Sequence, residues 1–235
     1  MNILVTGASS GIGFEAVLEL ITSNNNRVVA LARSEEKLHK LSKLAKKKNP
    51  ECILHPKKFD IIHDDYDTKL IPFLKKHLGS VDILINNAGS LVNKPFEELS
   101  QLDFVDMLQY NFLGHVKMIQ HILPHVNENA HIVNIGSMGG FQGSIKFPGL
   151  VAYSASKAAL HSLTECLATE LNDYKKIKVN CLALGSAQTE MLEEAFPDYK
   201  SPVTAFEMGK FIAEFAQTGH KFFNGKVIPV AVTTP

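Results

Sequence analysis

Short runs of β-branched and apolar residues recur along this chain near positions 3–6, 28–32, 53–59, 83–86, 132–135, 179–184 and 227–230, with longer segments of helical period between them. A strand followed each time by a crossover helix predicts a parallel sheet, so the expected fold is α/β: a three-layer, doubly wound Rossmann-type sheet of about seven strands with helices on both faces. Right-handed crossovers put the C-terminal ends of the strands along one edge, where open α/β sheets bind their ligands. No repeat, low-complexity tract or linker interrupts the pattern. The 235 residues, 45% of them hydrophobic, therefore read as one domain, 1–235, around one core.

The charge balance narrows the partners. Lys and Arg number 24 and Asp and Glu number 24, a formal net charge of zero, which gives no support to nucleic acid or an anionic membrane surface as a partner. Cys52, Cys166 and Cys181 cannot pair completely and show no CxxC spacing, which argues against a disulfide framework or a thiolate metal site and suggests a reducing, cytoplasmic compartment. The N-terminus runs straight into Ile3-Leu4-Val5 without a charged leader, and no apolar run approaches the roughly 18 residues of a membrane span. The Lys-rich stretch 37–48, with Leu38, Leu41 and Leu44 three apart, reads as an amphipathic surface helix.

Directly after the first run comes Thr6-Gly7-Ala8-Ser9-Ser10-Gly11-Ile12-Gly13, and Phe14, Ala16, Val17, Leu18 and Leu20 then fall in helical phase. Strand, glycine-rich turn and helix start stand in the order of a phosphate cradle. Glycines let the backbone turn tightly and approach a pyrophosphate, while the N–H groups and dipole of a helix N-terminus favour negative charge. Gly7, Ser9, Ser10, Gly11, Ile12 and Gly13 are therefore candidate dinucleotide contacts, with a βα turn that holds no ligand as the plainer alternative. About 20 residues further on, an acidic side chain at the end of the second strand would bind the adenosine ribose and select NAD. Leu31-Ala32-Arg33 stands there instead. A 2′-phosphate would meet the planar Arg33 cation and no repelling acid, which predicts NADP(H) as cofactor. Ser34 reads as the N-cap of the Lys-rich helix, with Glu35 and Glu36 in its first turn.

Tyr153-Ser154-Ala155-Ser156-Lys157 opens a long helical segment through Leu160, Leu163, Leu167 and Leu171. Residues four apart share a helix face, so the Tyr153 phenol and the Lys157 ammonium are expected side by side. Proton exchange by a tyrosine at neutral pH needs its pKa brought from about 10 to about 7, worth about 4 kcal/mol. A cation within a few ångströms acts in that direction. YxxxK alone occurs by chance in many helices, but here it follows Ile132-Val133-Asn134-Ile135-Gly136-Ser137, a buried-strand run that ends in a hydroxyl at the same sheet edge. Ser137 can hydrogen-bond a substrate oxygen and steady the charge that builds there during hydride transfer.

Taken together, TGASSGIG at positions 6–13, Asn86-Asn87-Ala88-Gly89, Asn111, Ser137 and YSASK at positions 153–157 make the chain resemble the short-chain dehydrogenase/reductase family over nearly its whole length, on its NADP-preferring side. The resemblance implies that Tyr153 is the proton donor or acceptor, that Lys157 lowers its pKa and holds the nicotinamide ribose, that Ser137 orients the substrate and that Asn111 helps place a water. It implies that Asn86 to Gly89 steady the central sheet beside the adenosine and ribose, that Asp60 and Ile61 contact adenine, and that Gly185 and Thr189 lie against the nicotinamide. It also implies a homodimer or homotetramer paired through the helices that hold Asn111 and Tyr153.

The chain departs from that family in places. Leu184-Gly185 replaces the usual proline-glycine, which leaves the backbone of that loop less restricted, and Ala231-Val232-Thr233-Thr234-Pro235 replaces the usual glycine pair near the end. Residues 190–202 occupy the substrate-loop position and read as a short mobile lid. Leu192 and Phe196 from that segment, with Met138, Phe141 and Phe147, are expected to form an apolar wall around the reacting carbonyl.

The expected activity is that of an NADP(H)-dependent carbonyl reductase or alcohol dehydrogenase of the short-chain type, acting on a small carbonyl or alcohol, with reduction favoured because the cytosolic NADP pool is largely reduced. A catalytically silent NADP-binding redox sensor on the same fold is the alternative, against which the complete Ser137, Tyr153 and Lys157 set speaks. Ten histidines invite a metal, but His121 and His125 have Pro124 between them and no third ligand, so none is expected. Phe14, Phe104, Phe112, Phe211 and Phe215 fall on apolar helix faces and are expected in the core.

Overall fold

The computed structural model describes residues 1–232; Thr233, Thr234 and Pro235 of the atypical C-terminus lie outside the described residues. In chain order the main elements are β1 (Asn2–Thr6), α1 (Gly11–Leu20), β2 (Arg27–Ala32), α2 (Glu35–Lys48), β3 (Ile53–Lys58), α3 (Ile71–His77), β4 (Val81–Asn86), α4 (Gln101–Leu108), α5 (Gly114–Ile122), β5 (Val126–Ser137), α6 (Val151–Lys175), β6 (Lys178–Leu184), α7 (Glu190–Ala195), α8 (Ala205–Thr218) and β7 (Val227–Val230). The strands form one seven-stranded sheet in the order β3-β2-β1-β4-β5-β6-β7. Every pairing is parallel, as the alternation of strand and helix requires.

Successive strand side chains point to opposite faces, so each strand feeds two cores. Ile3, Val5, Val28, Ala30, Ile83 and Ile85 pack against Val17 and Leu20 of α1, Leu38 and Leu41 of α2, and Ile212 and Phe215 of α8. Leu4, Val29, Leu31, Leu84 and Ile132 pack on the other side against Leu74 of α3, Met118 and Ile122 of α5, and Leu171 of α6. Both faces of the central strands are therefore covered, which is why those strands read as near-continuous apolar runs. Pro56 sits in β3, at the sheet edge, where a missing N–H costs no ladder bond. In α2 the Ser34 hydroxyl accepts from the Lys37 N–H (3.2 Å), and Leu38, Leu41 and Ala45 are buried while the lysines face out.

One expectation about packing needs correction. Of the five phenylalanines assigned to the core only Phe215 is buried; Phe14, Phe104 and Phe112 are half-buried and Phe211 is exposed. Phe14 still packs against the core from α1; for Phe104 and Phe112 the cause is visible between α4 and α5, where residues Gln109–Leu113 form a π-helical turn. Its wider winding shifts the phase of the helix, so an apolar period read straight through it no longer tracks one face. Leu102, Val105 and Leu108 of α4 are exposed.

Candidate active site

The sheet order reverses at β1, whose neighbours are β2 and β4, and a cavity of about 760 Å³ opens there at the C-terminal ends of the strands. It brings together Gly7, Ser9, Ser10, Gly11 and Ile12 after β1, Arg33 after β2, Asp60 and Ile61 after β3, and Asn87, Ala88 and Gly89 after β4. Asn111, Ser137, Met138, Phe147, Tyr153, Lys157, Gly185, Thr189, Leu192 and Phe196 also stand on its walls, so that all the sequence-predicted site residues but Gly13 and Phe141 line it.

Two backbone positions shape the glycine turn. Gly7 (φ +66°) and Gly11 (φ +56°) adopt left-handed conformations that favour glycine, and a Cβ on Gly7 would meet Ala88 Cα at 2.7 Å. Gly13 does not line the cavity: a Cβ there would collide with the Asn87 amide and the Gly7 carbonyl, so its contribution is the close seating of α1 on the turn. Buried Thr6 organises the other side. Its hydroxyl accepts from the N–H groups of Asn87 and Ala88 (both 3.0 Å), and the Asn87 amide donates to the carbonyls of Thr6 and Gly7 (both 3.1 Å). The N-terminus of α1 carries no side-chain cap and no acidic residue in its first turn. A pyrophosphate fits such a helix end and the turn before it.

Arg33 extends over the Tyr110 ring, its guanidinium carbon 5.7 Å from the ring centroid. Asp60 turns its carboxylate onto its own loop, accepting from the Ile62 N–H at 2.8 Å. Asn86 donates to Asn134 (3.1 Å), which donates to Thr164 of α6 (3.0 Å), a buried polar ladder that ties β4 to β5 and the helix above.

At the other end of the cavity the long α6 presents Tyr153 and Lys157 on one face, as their spacing predicts. The Lys157 ammonium is buried; it donates to the Ile135 carbonyl (2.8 Å) and lies 5.9 Å from the Tyr153 ring centroid. Burial brings its pKa down to about 8. The Tyr153 phenol is pushed up by burial and pulled down by its hydrogen bond with Ser137. This differs from the expectation that the ammonium would dominate: burial outweighs the Ser137 hydrogen bond, so the phenol stays protonated, the form a proton donor needs.

The Asn111 side chain is fully engaged. Its amide donates to the Ser90 carbonyl (2.9 Å) and the Ser156 hydroxyl (3.0 Å), and its oxygen accepts from the Ser90 N–H (2.9 Å). Through that side chain Asn111 clamps the segment after β4 to α6. Two buried histidines back the site. His115 donates to the Ala88 carbonyl (2.6 Å) and burial brings its pKa down to about 3. His161 lies against Gly136, its pKa brought down to about 4 by burial.

Residues 1–200 match the profile of the family described as short chain dehydrogenase. The chain belongs to the short-chain dehydrogenase/reductase family. It is 32% identical over 190 residues to an uncharacterized oxidoreductase of Staphylococcus saprophyticus, covering 80% of this chain and 79% of that protein. It is 30% identical over 193 residues to a fatty acyl-CoA reductase of Acinetobacter baylyi, covering 80% of this chain and 63% of that protein. A dehydrogenase/reductase from Sinorhizobium meliloti superimposes with a TM-score of 0.85 at 26% identity, over 98% of this chain and 93% of the other. As a member of this family the chain is an oxidoreductase that acts on small molecules with a nicotinamide dinucleotide, NAD or NADP. No helix among the described residues is long and apolar enough to cross a membrane.

In this short-chain dehydrogenase the segment after β6 is fastened more firmly than the loss of the usual proline suggests. The Gly185 N–H donates to the Val230 carbonyl (2.8 Å), Gln188 N–H to the Val203 carbonyl (2.8 Å), and the Ser201 hydroxyl to the Ser186 carbonyl (2.9 Å). Thr189 caps α7, accepting from the Leu192 N–H (3.2 Å). One member of the expected apolar wall is misplaced: Phe141 lies outside the cavity, its ring turned to His161 at a centroid distance of 6.4 Å. The 3-10 turn Met138–Gly140 swings it to the back of α6. Leu91, Leu150, Met191 and Tyr199 line the cavity there instead, and Lys37 and Tyr110 line it beside Arg33. Met191 and Tyr199 belong to the 190–202 segment expected at that wall, whereas Leu91, Leu150, Lys37 and Tyr110 were missed because only neighbours remote in sequence make them cavity residues.

Proposed function

We propose that this short-chain dehydrogenase reduces the carbonyl group of a small apolar aldehyde or ketone with NADPH. The observation that carries the reading is the convergence of Ser137, Tyr153 and Lys157 at one end of a cavity whose other end holds Arg33 and no acid at Ala32. When bound, the reduced nicotinamide would supply the hydride. Tyr153 Oη gives its proton to the carbonyl oxygen, and the Ser137 hydroxyl orients that oxygen and stabilises its growing charge. The Lys157 ammonium offsets the charge left on the phenolate. Gly7, Ser9, Ser10, Gly11 and Ile12 would hold the pyrophosphate, Arg33 the 2′-phosphate, Ile61 and Asp60 the adenine side, and Asn87 to Gly89, Gly185 and Thr189 the ribose and nicotinamide. Met138, Phe147, Leu192 and Phe196 form the apolar side of the substrate space. Exposed Phe147 and Met191 on the cavity wall favour an apolar carbonyl compound, in keeping with the acyl substrate in the name of the Acinetobacter relative.

The exposed Leu102, Val105 and Leu108 of α4 and Val151 of α6 support a homodimer or homotetramer that covers them, in the cytoplasm where NADPH is abundant. A silent cofactor-binding sensor is not favoured, since it would leave the complete proton-transfer set without a use.

The test is the rate of NADPH and NADH oxidation over a panel of aldehydes and ketones, with Tyr153→Phe as control. Turnover with NADPH that vanishes in the variant is expected. Full activity in Tyr153→Phe would overturn the proton-transfer role, and a higher kcat/KM with NADH would overturn the cofactor assignment.

A further inference from the structure

The adenosine end of the cavity holds a second cation. Lys37 sits in the first turn of α2, on the wall shared with Arg33 and the glycine turn. Its ammonium bonds Glu190 at 2.6 Å. Glu190 is the first residue of α7, 153 positions further along the chain, and also lines the cavity. The Lys37 hydrogen bond and charge, with the charge of Lys40, hold the Glu190 carboxyl below the usual carboxylate range. It is ionised at neutral pH and opposes any phosphate entering beside it. Just before it, the Thr189 methyl lies 3.2 Å from where a Cβ on Gly11 would be, so the start of α7 rests against the glycine turn. The other end of α7 is held from across the cleft, where Asn93 donates to the Ala195 carbonyl (2.7 Å). The short helix thus bridges the cavity, and the Lys37–Glu190 pair fastens its adenosine side.

We infer that Lys37 is a second determinant of the cofactor 2′-phosphate, and that the phosphate draws it away from Glu190, releasing the start of α7 as NADP(H) is taken up. This rests on the NADP reading above. Both side chains are substantially exposed, 46% and 64%, so the pair opens at little cost. A phosphate carrying more than one negative charge and three acceptor oxygens is a stronger partner for an ammonium than one carboxylate. A dinucleotide without that phosphate leaves the pair closed. The two cations divide the work: Arg33 is a planar group laid over Tyr110, whereas Lys37 is a compact charge on a flexible stem that can change partners.

The experiment measures dissociation constants by calorimetry for NADPH, NADH, adenosine 2′,5′-bisphosphate and 5′-AMP, on the wild type, Lys37→Met and Glu190→Gln. Lys37→Met is expected to weaken NADPH and the bisphosphate by about tenfold, the scale of one charge-assisted hydrogen bond, with NADH and 5′-AMP shifted less than twofold as the control for folding. Glu190→Gln is expected to tighten only the two ligands that carry a 2′-phosphate, NADPH and the bisphosphate. Limited proteolysis should cut segment 190–200 faster with saturating NADPH than with NADH, and equally fast with both in Glu190→Gln. An unchanged NADPH-to-NADH ratio in Lys37→Met, in a wild type that prefers NADPH, overturns this inference alone. A wild type that binds NADH as tightly as NADPH overturns the cofactor reading and this inference with it. Protection of segment 190–200 by NADPH overturns the release of α7.

Discussion

The ammonium of Lys157 lies 5.9 Å from the centroid of the Tyr153 ring, one helical turn along the same face of α6. The helix sets that distance, and the enclosing walls set its electrostatic consequence. Lys157 is buried with a backbone carbonyl as its hydrogen-bond acceptor, and its charge is correspondingly costly.

Lys157→Met should therefore trade activity for stability. In the fold the Lys157 pKa is brought down from 10.5 to about 8, so the native state disfavours its proton. The penalty is complete below about pH 8 and is relieved as pH rises from there towards 10.5. It amounts to about 3 kcal/mol, of which the lost bond to Ile135 would return about 1 kcal/mol. The variant should melt about 4–8 °C higher at pH 7 in calorimetry, while kcat falls by about a hundredfold or more. A lower melting temperature would contradict the buried-charge argument.

Acid should unfold the protein through its neutral histidines. Burial brings the pKa of His115 down to about 3 and those of His131 and His161 to about 4, against an unfolded value of 6.5. Between pH 6.5 and about 4 the unfolded chain binds more protons, so stability falls as pH drops through that window. Near pH 5 each group has cost about 2 kcal/mol, and the three together rival the whole stability of a domain. Circular dichroism should show cooperative unfolding centred near pH 5, and a fold intact at pH 4 would contradict the account.

Thr6→Val keeps the shape of a buried side chain and removes the acceptor shared by the Asn87 and Ala88 N–H groups. Two part-buried donors at the cavity wall lose their protein acceptor, which should cost about 1–2 kcal/mol in urea denaturation. Because those residues border the glycine turn, cofactor affinity should weaken as well; unchanged stability would show that the turn does not depend on this hydroxyl.

Ser137→Ala removes the hydrogen bond that lowers the Tyr153 pKa. The basic limb of the pH–rate profile should move upward, with kcat reduced by about a hundredfold. A profile that keeps its position would separate Ser137 from the phenol.

The strand positions, the glycine turn and the tyrosine–lysine pair were legible in the amino-acid order. A parallel strand covered on both faces demands an apolar run, Gly7 and Gly11 need left-handed backbone, and four residues of α-helix return a side chain to the same face. Those are local rules with a fixed period. Tertiary structure alone decided that Phe141 turns away from the cavity, that a π turn at Gln109–Leu113 interrupts the helical phase, and that Glu190 meets Lys37. It also decided the direction of the Tyr153 shift, because desolvation depends on walls contributed by β5, α6 and the segment after β6. Such quantities depend on which distant residues share a volume, and no spacing along the chain encodes that.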